Sequence, residues 1–117
     1  MDIKTNIPIY LQIVTEMRDR IIMGELLPGE KLPSSRELAQ QININPNTAA
    51  RVYTEMEKLG LAFTKRGIGT FVTEDEKLIK GMKQERTIEV IDDFFRSMEQ
   101  LGYQSSDIIG LLKGFEE

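Results

Sequence analysis

The sequence predicts a mainly α-helical chain of the α+β class: three short helices, a small two-stranded hairpin, then two further helices. Three observations predict it. Apolar residues recur at helical spacing in segments bracketed by capping residues and by Gly24 or Gly60. Two short β-prone runs flank the glycine-bounded tip Gly67-Ile68-Gly69. After residue 73 the chain turns strongly charged and carries a single apolar stripe.

In the first segment Pro8 suits a helix start and Gly24 its end, with Tyr10, Ile13, Val14, Met17, Ile21 and Ile22 on one face. Pro28-Gly29 marks a turn, and Lys31-Leu32-Pro33 is extended because a residue before proline leaves the α region. Ser34 and Glu37 form a capping box for a second helix reaching about Gln41, and Asn43 suits the left-handed turn that follows. The third helix has Asn45 as cap, Pro46 in its first turn and Gly60 beyond its end. Its predicted buried stripe is Ala49, Val52, Tyr53, Met56 and Leu59. Strands are expected around Leu61–Thr64 and Thr70–Val72. Thr73 to Glu76 reads as a second capping box, so the boundary is placed between an N-terminal domain, 1–73, and a helical segment, 74–117. A long helix is expected from Glu74 to Leu101, loosened at Gly81, then a short one capped by Ser105 and closed by Gly114.

Composition narrows the chemistry. The 117 residues contain no cysteine and no histidine, so thiolate chemistry, disulfides and the commonest metal ligand and general base are missing. No cofactor, metal or catalytic residue is expected. The only candidate for a catalytic group, a carboxylate cluster around Glu89, Asp92 and Asp93, reads as the polar side of a helix. No segment resembles a membrane span or a targeting peptide, and a cytoplasmic location is expected. The net charge of −4 is unevenly spread. Residues 1–72 hold nine basic and eight acidic side chains, whereas 73–117 hold six and eleven. What matters for a polyanion is a local basic face.

Two helices joined by a short turn and followed by a glycine-tipped hairpin make a winged helix-turn-helix. The start of the third helix would enter a DNA major groove, where Asn45, Asn47, Thr48 and Arg51 can meet base edges and phosphates. Lys65 and Arg66 would bring charge to phosphates or the minor groove, with Gly67 and Gly69 allowing close backbone approach. Ser34 and Ser35 stand at a helix N-terminus, where Ser34 both caps and can meet a phosphate. Tyr10 could donate to a phosphate or simply pack.

These residues also carry a resemblance. Pro8-Ile9-Tyr10-Leu11-Gln12-Ile13, Gly24-Glu25-Leu26, Leu32-Pro33-Ser34-Ser35-Arg36-Glu37-Leu38-Ala39, Asn47-Thr48 and Gly67-Ile68-Gly69-Thr70-Phe71-Val72 resemble the GntR family of bacterial regulators, in order and at similar spacing. The resemblance implies a dimeric repressor or activator on a palindromic operator, with repression favoured, and it carries a DNA contact over to Arg36. Pro46 and Ala50 stand where many members place basic residues, so those contacts do not transfer. A tail of only about 45 residues after Val72, with Asn45-Pro46-Asn47-Thr48, resembles the YtrA subfamily, whose two tail helices dimerise. Ile88, Ile91, Phe94, Phe95, Met98 and Leu101 make an apolar face that two helices cannot bury, and a second copy is the simplest cover. The competing reading is a winged helix that binds protein instead of DNA. The sequence does not identify an effector, the operator or the regulated genes.

Overall fold

The computed structural model describes residues 6–115. It divides into two compact units between Lys80 and Gly81.

The N-terminal unit begins with α1, Ile9–Met23, capped by Pro8. Ile13, Val14, Met17 and Ile21 are buried, while Tyr10 and Ile22 are half-buried at the margins of the stripe. Helix α2, Ser35–Ile42, starts at the predicted box: Glu37 N–H donates to Ser34 Oγ (3.1 Å) and Ser34 N–H donates to Glu37 Oε1 (3.0 Å). Two otherwise orphaned donors of the first turn are thereby satisfied. Asn43 then takes the left-handed conformation at φ 55°, alone among the described non-glycine residues. Helix α3, Pro46–Lys58, is capped by Asn45, whose Oδ1 accepts from Asn47 N–H at 2.8 Å.

Ala49, Val52, Tyr53 and Met56 are buried as expected, but Leu59 is 52% exposed. The helix ends one residue earlier, and Gly60 (φ 78°) turns the chain. Leu61 N–H then closes on Met56 O at 2.8 Å, so Leu61, 1% exposed, fills the core in place of Leu59.

Helix α3 packs against α1, α2 and the first strand and so forms the centre of the unit. Strands β1, Ala62–Lys65, and β2, Gly69–Val72, pair antiparallel with Phe63 opposite Phe71 and Lys65 opposite Gly69. The segment before α2 adds a third edge that the sequence shows only as extended. Leu32 N–H donates to Thr70 O, Val72 N–H to Glu30 O (both 2.8 Å), and Lys31 bridges Phe71.

The second capping box is corrected. Thr73 is buried, and its N–H donates to Leu61 O at 2.9 Å, so its backbone still belongs to the hairpin. Asp75 is the cap instead, its Oδ1 accepting from Lys77 and Leu78 N–H at 3.1 Å each. Helix α4 accordingly runs Glu76–Gln100, later than the expected Glu74 start, and is continuous through Gly81.

In the second unit Gly102 (φ 95°) ends α4, and α5 spans Ser105–Lys113. Its cap is Gln104, not Ser105. Gln104 is extended and its N–H donates to Asp107 Oδ2 (3.0 Å), so Ser105 is already helical. Ile108 is the one buried side chain among the described residues of this unit. Ile88, Ile91, Phe94 and Leu101 are exposed, Leu101 by 72%, while Phe95 and Met98 are half-buried.

Candidate nucleic-acid interface

Burial of Ala49, Val52, Tyr53 and Met56 turns the opposite side of α3 outward. Asn47, Ala50, Arg51 and Thr54 are exposed at helical spacing, and Thr48 is half-buried beside them. Asn45 is partly committed, since its side-chain oxygen caps the helix and leaves the amide NH2 to face a partner. Asn47 keeps its whole side-chain amide outward, which makes it the better candidate for bidentate contact with a base. Thr54 donates to Ala50 O at 3.1 Å and is less free.

Arg51 has a partner that sequence reasoning missed. Its guanidinium carbon lies 4.0 Å from the centroid of the Tyr10 ring, within cation–π range. Beside the two readings left open for Tyr10, its ring face carries an arginine of the outward helix. Arg51 is held in one direction while its remaining N–H donors stay exposed.

Helix α2 supplies the next group. Ser35 is half-buried, while Ser34 and Arg36 are exposed. The Ser34 oxygen accepts the capping bond and its hydroxyl also engages the Glu37 carboxylate, so the side chain is committed mainly to the cap. Arg36 lines a shallow hollow with Asn43 and Pro46, so the first turn of α2 meets the start of α3. That placement is secured by Tyr53, whose hydroxyl donates to Pro33 O at 2.5 Å. Burial, aided by the Glu37 charge, pushes the Tyr53 phenol up to about 12, so it remains a neutral donor. The Glu37 carboxyl is held below its ordinary 4.5, first by the Ser34 backbone N–H and then by the Ser34 hydroxyl.

The wing is the third group. Lys65 Nζ sits 4.9 Å from the Phe71 centroid and 5.8 Å from Phe63, whose rings stack at 5.7 Å. Arg66 and Gly67 (φ 79°) are exposed at the tip. A Cβ at Gly69 would lie 2.8 Å from Lys31 Cε, near the end of a flexible side chain that would have to move aside. Lys31 thus crosses the hairpin beside Lys65 and adds a basic group to the wing. It was missed because its pairing with Phe71 links residues 40 apart in the chain.

The carboxylates Glu89, Asp92 and Asp93 form no group able to hold a metal among the described residues, and Glu89 pairs with Arg86 at 3.2 Å. No described helix is long and apolar enough to cross a membrane.

The profile of "Bacterial regulatory proteins, gntR family" matches residues 9–72, the stretch that builds α1 through β2. The HTH-type transcriptional regulator YhcF of Bacillus subtilis is 44% identical over 110 residues, covering 94% of this chain and 91% of that protein. The HTH-type transcriptional repressor YtrA of the same organism is 38% identical, covering 85% of this chain and 81% of that protein. A GntR family transcriptional regulator from Listeria monocytogenes superposes with a TM-score of 0.83 at 34% identity, covering 97% of this chain and all (100%) of that one.

Proposed function

The chain belongs to the gntR family of bacterial regulatory proteins and is a DNA-binding transcriptional regulator, and from that premise we propose that it represses transcription as a cytoplasmic homodimer on an inverted-repeat operator. The observation that carries this reading is the outward face of α3, where Asn47 and Arg51 stand beside the Arg36 hollow, in a unit that also presents a basic wing. An α-helix of this kind fits a major groove, Asn47 pairing with adenine or Arg51 with guanine. Arg36, Ser34, Lys31, Lys65 and Arg66 contact phosphates, and their share of the affinity is sensitive to salt. The activity is binding alone, with no catalytic step.

Repression is supported by the repressor YtrA among the similar proteins. Dimerisation is supported by the apolar side chains that α4 and α5 leave exposed. A two-fold dimer meets a two-fold site, with half-sites about 34 Å apart or one helical repeat. Selection from a random duplex pool should return an inverted repeat. Recovery of unrelated single sites, or of none, would overturn the reading.

A further inference from the structure

Helices α1 and α2 both pack on α3, and the structure leaves a cavity of about 390 Å³ lined by residues of α1, α2 and the loop joining them. Its floor is apolar: Ile13 and Met17 from α1, Leu26 and Leu32 from the loop, and Leu38 from α2, each at most 6% exposed. The volume falls in the range of small-molecule pockets, about 300–1,000 Å³, which combine an apolar lining with a few polar groups.

The rim decides what charge such a molecule carries. Glu16 and Glu30 stand there, and so does Arg20. The arginine is already engaged, its Nε donating to Glu25 at 3.4 Å. Glu30 accepts only the Leu27 N–H, at 3.3 Å, and none of the described residues donates to Glu16. Two carboxylates thus face the opening, against one cation that has its own counter-charge. We infer that this cavity is a binding site for a small amphipathic cation, whose apolar chain lies along Ile13, Met17 and Leu38 while its ammonium meets Glu16.

Occupancy bears on α2. Leu38 is one wall, and Pro33, which also lines the cavity, is the residue whose carbonyl Tyr53 holds. A ligand wedged against Leu38 loads the helix that carries Arg36, so binding weakens the grip on DNA; this regulatory half rests on the operator-binding reading above.

The test uses the full chain with methyl labels and three probes below their micellar concentrations: decylammonium, decanol and decanoate. Decylammonium should shift the Ile13, Met17 and Leu38 methyl resonances saturably, more tightly than decanol, with decanoate weakest. Glu16→Gln, an exposed change, should remove about a threefold advantage of decylammonium over decanol, the size of an exposed charge pair. Absence of saturable shifts, decanoate binding as well as decylammonium, or the same shifts on simply concentrating the protein would overturn the site; the last would assign the cavity to a second copy. Anisotropy of a labelled operator should then show weaker binding at saturating decylammonium, and unchanged affinity would overturn the coupling. Failure of every duplex to bind would defeat the operator reading and leave the methyl shifts to judge the cavity.

Discussion

At the scale of single residues, the proposed reading gives Arg51 a base contact and Arg36 a phosphate contact. Arg51 rests on an aromatic face, which on the same reading makes Tyr10 its positioning residue. Tyr10→Phe keeps the ring and should bind operator much as the parent does. Tyr10→Leu should lose about 0.5–1 kcal/mol, the worth of an exposed cation–π contact, and relax preference at one base position. Equal losses in Tyr10→Phe and Tyr10→Leu, measured by anisotropy, would point to the hydroxyl instead. Lys65→Ala should behave otherwise, weakening all duplexes alike and lowering the salt slope by about one. Glu37 gives a pH prediction. Its folded-state carboxyl is held below 4.5, so its contribution is present above that value and lost as pH falls through the folded one. Glu37→Gln keeps a side chain able to accept the Ser34 N–H but has no charge to lose. Denaturation series should therefore show a flatter loss of stability below about pH 5 in the variant; parallel curves would mean that Glu37 does not contribute.

At the scale of elements, the wing is the place where a local choice has a long-range cause. Gly69 pairs with Lys65 at φ 149° and lies under Lys31. Gly69→Ala should strain the backbone and push Lys31 aside, so hydrogen exchange should quicken at the amides of Ile68 and Leu32, while those of α3 stay protected. Unchanged exchange in the wing would show that Lys31 moves without consequence. The same residues explain how far the fold could be read from sequence. Caps at Ser34 and Asn45, the left-handed Asn43 and the terminal glycines act within a few residues, so α1, α2 and α3 were legible almost to their ends. Thr73 and Ser105 misled because capping is a competition. Thr73 N–H was already engaged by Leu61, 12 residues away, and Asp107 took the Gln104 N–H. Leu59 misled because Gly60 let Leu61 take its place. For the candidate site, Asn47 and the wing tip could be named from local pattern and Arg36 from the family resemblance, whereas Lys31 and the Tyr10–Arg51 contact needed the tertiary pairing of distant segments.

At the scale of the whole molecule, the two units differ in how they meet solvent. The N-terminal unit has its own core in Val52, Met56, Leu61 and Val72, each at most 1% exposed. The second unit buries Ile108 and leaves Ile88, Ile91 and Leu101 at least half exposed. Such a stripe is costly in water, and burying each side chain against a second copy is worth about 1.5–3 kcal/mol. Ile91 is the informative position, because at 50% exposure the fold of a single chain has little need of it. In the proposed dimer, Ile91→Asp should place a carboxylate in the paired face and shift sedimentation equilibrium from dimer to monomer at micromolar concentration. The circular dichroism of α1 to α3 should persist, since their core lies in the other unit. Operator affinity should fall by more than the loss of any single contact, because a monomer holds one half-site and forfeits the effective concentration of the second. Binding to an isolated half-site should then be equal in parent and variant at concentrations where both are monomeric. A variant that stays dimeric, or a parent that sediments as a monomer at high micromolar concentration, would remove α4 from subunit pairing.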